Sequence, residues 1–143
     1  MTIVLEVHCQ PVPQPRSRVT VRCGRGHAYT PAKHPVHAYR QAIVEAAASV
    51  VGTADPATGA IRLEVDAVFA RALSHWRKHD LRPGAPRWPK GDGDNVLKAV
   101  ADALKDAGVY RDDDQIVEWF IRKRFAARTE QPRTVIRISL VEV

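Results

Sequence analysis

Apolar positions alternate with outward ones at the very start of the chain. Ile3, Leu5 and Val7 interleave with Val4, Glu6 and His8, a period of two that predicts a first strand. The following segment, QPVPQPRSRVTVRCGRGHAYTPAKHP, spaces prolines and glycines too closely for a helix and predicts a long loop with a short hairpin around CGRG. From Val36 the period changes: Val36, Tyr39, Ile43, Ala47 and Val50 recur at helical spacing, and Gly52 supplies the stop. Ile61, Leu63, Val65, Ala67 and Phe69 then alternate with Arg62, Glu64 and Asp66, the pattern of a strand with one buried face. Between Asp94 and Ala107 the helical period returns. At about 100° per residue, Val96, Leu97, Val100, Ala103, Leu104 and Ala107 share one arc. Asp94, Asn95, Lys98, Asp102, Lys105 and Asp106 share the opposite one, and Gly108 closes the helix. IVEWFIRKRF and TVIRISLVEV predict two strands joined by the turn AARTEQP, expected to pair antiparallel, with Trp119 and Phe120 expected in the core, or at an interface if exposed. The order strand, helix, strand, helix, strand, strand predicts an α+β domain, a small mixed sheet of about four strands covered by helices, spanning residues 1–143 as one unit.

Length and composition agree with one core: the chain has 143 residues, 45% of them hydrophobic. No apolar run approaches the ~20 residues needed to cross a bilayer, and the opening MTIVLEV lacks the charged start and apolar centre of a signal peptide. The expectation is a soluble cytoplasmic protein. Cys9 and Cys23 cannot build a disulfide framework and read as reduced thiols. His8 with Cys9, Cys23 with His27, and His34 with His37 include no CxxC pair and no helical HExxH. They read as scattered thiols and surface histidines rather than as a zinc site.

Charge changes the picture more than composition does. The formal net charge is +6 and the pI about 9.7, yet the charges are sorted along the chain. No acidic residue falls between Glu6 and Glu45, where Arg16, Arg18, Arg22, Arg25, Lys33 and Arg40 all lie. A second basic segment, Arg71 to Lys90, carries Arg71, Arg77, Lys78, Arg82, Arg87 and Lys90 against Asp80 alone. Two such segments suit a polyanion, whose phosphates they would neutralise with release of counterions; they suit equally two solvated loops. Trp76 and Trp88 lie in the second segment, where each could stack on a base or pin its loop.

Between the two segments and the C-terminal strands, KGDGDNVLKAVADALKDAGVYRDDDQ gathers seven of the chain's 16 acidic residues. An aspartate at 92 or 94 could cap the helix, worth about 1 kcal/mol, and Asp94 could pair with Lys98 one turn on. Asp112, Asp113 and Asp114 follow the helix, where carboxylates oppose its dipole, so capping of that helix cannot account for them. If the two acidic groups converge they repel unless a cation intervenes. Their hard oxygen ligands suit Mg²⁺, with Mn²⁺ as a substitute. An EF-hand does not fit, because Val96 and Leu97 occupy positions that need an oxygen ligand and a glycine.

The stretch GDGDNVLKAVADALKDAGVYRDDDQIVEWFIRKR resembles the signature of RusA-type Holliday junction resolvases: Asp-x-Asp-Asn opens a helix that contains a lysine and an aspartate, and a DD.Q group precedes a strand. PRSRV and AYTP are similar to the family's basic N-terminal segment. The resemblance implies a Mg²⁺-dependent endodeoxyribonuclease of RusA-like fold, a homodimer that cuts four-way junctions or other branched DNA by paired nicks in recombination and repair, in a bacterial cell or from a phage within one. It implies that Asp92, Asp94 and Asp113 hold the metal and that Lys98 is the essential lysine, giving a catalytic set of Asp92, Asp94, Lys98 and Asp113. DNA contacts are expected from Arg16, Arg18, Lys33, Arg77, Lys78 and Lys90. Two departures stand out: Gly91 takes the place where the family commonly has proline, and the basic loop from Arg71 to Lys90 is longer than in compact members.

Overall fold

The computed structural model describes residues 1–143. Strand β1 (Thr2–Val7) leads into a hairpin of β2 (Arg18–Arg22) and β3 (Arg25–Tyr29), then helix α1 (Val36–Val51) and strand β4 (Ile61–Phe69). A 3-10 turn (Leu73–His75) and a minimal hairpin of β5 (Trp76–Arg77) and β6 (Asp80–Leu81) occupy the second basic segment. Helix α2 (Gly93–Asp106), a 3-10 turn (Asp113–Gln115) and strands β7 (Ile116–Phe125) and β8 (Arg133–Leu140) complete an α+β fold.

The main sheet has the order β1-β8-β4-β7. Strand β8 is antiparallel to both β1 and β4, and β7 is parallel to β4. The two C-terminal strands therefore do not pair with each other as their sequence suggested, because β4 lies between them. Two parallel neighbours cannot be joined by a tight turn and need a crossover. Helix α2 is that crossover, and its position over the sheet follows from this pairing.

Alternation decides which face is covered. Leu5, Val7, Ile61, Leu63, Val65, Ile136 and Ile138 join Ile43, Ala47, Val100 and Leu104 in one buried cluster beneath the helices. On the opposite parity Val4, Phe120, Arg122 and Arg137 are exposed. Helix α2 buries Ala99 and Ala101 beyond the apolar arc expected of it, since it packs on α1 as well as on the sheet. Ala107, expected on that arc, is half-buried. Val50 is 56% exposed rather than inside; the last turn of α1 runs past the layer, and Val51 packs there instead. Trp119 and Phe120 are also exposed, at 42% and 52%. Strand β7 is the edge strand, so Trp119, on the helix side opposite Leu63, lacks an outer neighbour, whereas Phe120, opposite Glu64, lies on the face that no helix covers. Inside the core, the Tyr39 hydroxyl and Thr134 Oγ1 bond at 2.7 Å, satisfying a threonine with no solvent exposure.

The connection from β7 to β8 crosses the end of β4, where the Ala126 N–H donates to the Phe69 carbonyl at 2.7 Å. Glu130 fastens it. Its carboxylate accepts from both terminal nitrogens of Arg124 at 2.6 Å and from the Ala127 N–H at 3.0 Å. The Arg124 guanidinium first, then the Ala127 N–H, hold the Glu130 carboxyl at about 2, below its ordinary 4.5. A depressed carboxyl pKa supplies stability that is complete above the unfolded value and is lost as pH falls through the folded value. For Glu130 the window runs from 4.5 down to about 2. Carboxyl NMR titration is expected to give Glu130 a midpoint of about 2, and Arg124→Ala should move that midpoint back toward 4.5; a midpoint already near the ordinary value in the native chain would discard the clamp.

Candidate active site

Helix α2 begins against strand β7. A side chain on Gly93 would meet Ile121 at 3.4 Å, and one on Gly91 would meet Pro13 at 3.3 Å. Gly91 has φ of 96°, a conformation closed to proline, whose ring fixes φ near −65°. The glycine that departs from the family pattern is therefore required by the loop this chain builds. Lys123, reaching up from β7, donates to the Pro89 carbonyl at 2.9 Å and also to the Gly91 carbonyl. Both contacts hold the backbone immediately ahead of Asp92. The Gln14 N–H donates to the Asn95 carbonyl at 2.9 Å, which ties the first basic segment to the same place.

Asp92 occupies the N-cap position with extended backbone, but its carboxylate makes no capping hydrogen bond. Asp94 Oδ1 accepts only from the adjacent Asn95 N–H at 3.0 Å. Neither exposed carboxylate is consumed by an ion pair, and both stand at the helix start, Asp92 at the N-cap and Asp94 in the first turn, where the helix dipole favours negative charge.

One helical turn on, Lys98 does not pair with Asp94. Its ammonium lies 3.0 Å from Asp102 and 3.2 Å from Asp113. Asp102 first, and Asp113 with it, raise the Lys98 pKa above its ordinary 10.5, so it is a cation throughout the neutral range. The second acidic group thus returns to the polar face of α2, as the sequence could state only conditionally.

The three aspartates after the helix have different fates. Asp112 caps the 3-10 turn: its carboxylate accepts from the Asp113 N–H at 2.8 Å, and Gln115 Oε1 accepts in return from the Asp112 N–H at 3.1 Å. Lys105 bonds Asp112 at 3.0 Å and is the first cause of its carboxyl being lowered to about 2. Gln115 also donates to the Ala57 and Gly59 carbonyls, anchoring the turn to the chain ahead of β4. Asp113 is half-buried and faces Lys98, while Asp114 is exposed. The turn chemistry selects Asp113 as the residue directed at the helix.

No three Asp, Glu, His or Cys side chains are grouped closely enough to hold a metal ion as the chain stands. The structure brings together Lys98, Asp102 and Asp113, while Asp92 and Asp94 stand at the helix start. The donor chemistry of Asp92, Asp94 and Asp113 is all hard oxygen and fits Mg²⁺ or Mn²⁺; the Lys98 ammonium is the counterion of Asp113.

Arg16, Arg18, Lys33, Arg77, Lys78 and Lys90 are all exposed. The ion pairs of the molecule involve other basic residues, such as Arg40, Arg62, Lys98, Lys105, Arg124 and Arg137. Trp76 is half-buried with the Arg128 guanidinium 5.5 Å from its ring, which pins that loop, whereas Trp88 is 70% exposed. The sequence reading left Asp102 out of the named site set, although the signature has an aspartate in this helix, and missed Lys123. Asp102 was legible as the acidic residue one turn beyond Lys98. Lys123 carried no local signal, because its role depends on β7 passing beneath the loop ahead of α2.

The site consists of a helix opened by paired aspartates, a lysine held on its polar face by a returning DDQ turn, and a flanking mixed sheet. Residues 8–139 match the family model for endodeoxyribonuclease RusA, and the chain belongs to the RusA endodeoxyribonuclease family. It is 30% identical to the uncharacterized protein YqaN of Bacillus subtilis (strain 168), over 97% of this chain and 96% of that one. No helix is long and apolar enough to cross a membrane.

The Lys123 contacts predict a local effect without any substrate. A hydrogen bond from a charged donor contributes about 1.5–3 kcal/mol, and ~1.4 kcal/mol is tenfold in an opening equilibrium. Lys123→Met should therefore speed amide exchange at Asn95, whose N–H donates to the Asp92 carbonyl at 3.1 Å, about tenfold or more while leaving the centre of α2 unchanged. Unchanged exchange at Asn95 would remove Lys123 from the positioning of Asp92.

Proposed function

We propose that this chain is a Mg²⁺-dependent, homodimeric endodeoxyribonuclease that resolves Holliday junctions by paired symmetric nicks in recombination and repair. Membership of the RusA family carries the nuclease assignment. The observation that supports the site is Lys98, kept charged between Asp102 and Asp113 on the face that leads to the uncommitted carboxylates of Asp92 and Asp94. Asp92, Asp94 and Asp113 would hold the metal ion. When bound it supplies Lewis acidity, making water nucleophilic near neutral pH and offsetting charge on phosphorus.

The chain's own residues do the rest. Lys98, a cation at neutral pH like any lysine, is held in place by Asp102 and Asp113, and presents its positive charge to the scissile phosphate or orients the attacking water. Lys123 keeps the loop at Gly91 in place, so that Asp92 projects from a fixed backbone. The exposed basic segments neutralise phosphates of the arms. A two-fold homodimer matches the two-fold symmetry of a four-way junction, and paired incisions need paired sites.

The test is cleavage of a synthetic four-way junction beside a linear duplex of the same sequence, with and without Mg²⁺. The wild-type protein should give metal-dependent paired nicks in the junction alone. Asp94→Asn should abolish cutting and retain junction binding, since it removes negative charge near phosphate. Lys98→Ala should lower turnover by about 10²–10³ with affinity little changed. Equal cutting of linear duplex would retain the nuclease and discard branched-DNA specificity; tight binding without cutting would make the chain a junction-binding protein.

A further inference from the structure

The hairpin of β2 and β3 stands apart from the rest of the fold. Its strands pair only with each other, and Thr20 alone of their residues is half-buried, the others being exposed. A lone two-stranded hairpin is marginal in water. This one is set by its turn, where Cys23 and Gly24 have φ of 51° and 74°, the left-handed pair of a tight hairpin loop that matches strand twist.

The register sorts its side chains onto two unlike faces. Arg18 opposes Tyr29, Thr20 opposes His27, and Arg22 opposes Arg25, so these six share one face. Val19 opposes Ala28 and Val21 opposes Gly26 on the other. Arg22 and Arg25 place like charges directly opposite each other at the tip, an arrangement that destabilises a strand pair. Nothing within the chain relieves it: no acidic residue lies between Glu6 and Glu45, and neither arginine is among the ion-paired ones. An external anion bridging the two would. The same face offers Thr20 and His27 as hydrogen-bonding groups, and Thr20, Arg22, His27 and Tyr29 line a shallow hollow on it. The base of the hairpin is fixed near the candidate active site, because Gln14 is bonded to Asn95 and Pro13 packs at Gly91.

We propose that the hairpin is a DNA-gripping ribbon, laid into a groove of a duplex arm with the face of Arg18, Thr20, Arg22, Arg25, His27 and Tyr29 toward the phosphates and the Val19/Val21 face away. This rests on the reading of the neighbouring site as a DNA-cleaving one. The occupant is duplex DNA because the face is cationic and hydrogen-bonding along its whole length, and a two-stranded ribbon fits the major groove, about 12 Å wide. A second protein copy would favour the valine face instead.

Two double variants separate the faces: Arg22→Ala with Arg25→Ala, and Val19→Thr with Val21→Thr, the latter keeping β-branched strand formers. Junction affinity is measured without divalent metal over a range of salt, beside cleavage by the wild-type protein in Mg²⁺. Each lost phosphate contact reduces the slope of log affinity against log salt by about 0.9. The arginine pair should weaken binding and flatten the slope by about 1.8 for each protomer engaged, about 3.6 for the homodimer, with the valine pair binding as wild type. An unchanged slope in the arginine variant, while wild-type protein still cuts the junction, overturns the ribbon and leaves the function standing. Loss of affinity in the valine variant alone overturns the assigned face. Wild-type protein that neither binds nor cuts DNA overturns the functional reading and the ribbon with it.

Discussion

The candidate site depends on the parallel pairing of β4 with β7. Parallel neighbours force a crossover, and the crossover here is α2. Because the chain must return to start β7 beside the start of β4, the acidic turn after the helix is brought back toward the helix's polar face. Asp113 reaches Lys98 at 3.2 Å for that reason. The other end of β7 passes beneath the loop ahead of the helix, where Lys123 holds the backbone of Pro89 and Gly91. One strand thus positions both ends of the acidic segment.

The carboxylates of this segment divide their work by local chemistry. Asp112 is engaged by the turn it caps and by Lys105, and Asp106 pairs with Arg40 of α1. These contacts are structural, and they leave Asp113 directed at the helix. Asp92 and Asp94 stand at the helix start, where the dipole favours negative charge, and neither has an ion-pair partner. Between the two groups stands Lys98, which offsets like-charge repulsion on the face that Asp102 and Asp113 share. A basic chain can therefore keep a concentrated acidic centre while its exposed segments remain cationic.

The arrangement of charges also explains why the fold leaves one sheet face open. Both helices cover the face carrying Leu63, Val65, Ile136 and Ile138. Arg122 and Arg137 on the other face satisfy Asp66, and Arg62 satisfies Glu118, so that side is solvated rather than packed. The hairpin of β2 and β3 differs: its arginines have no such partners, and its cationic face is left for something outside the chain.

The sequence by itself determined the elements and much of the chemistry. Period-two alternation in β1 and β4 and helical periodicity in α1 and α2 are local properties, set by which side chains must leave water. The hairpin turn at Cys23 and Gly24 was legible from its local composition, whereas Asp92, Asp94, Lys98 and Asp113 were singled out by the family resemblance of their segment. Strand order was not legible. Alternation in β7 and β8 says that each is a strand but cannot say that β4 separates them; nor does it tell an edge position such as Trp119 from a central one, or show that the face carrying Phe120 is left uncovered. Tertiary structure alone decided that Lys98 meets Asp102 and Asp113 rather than Asp94, that Gly91 requires a positive φ, and that Lys123 belongs to the site. These depend on distances between segments far apart in the chain, and no local periodicity encodes them.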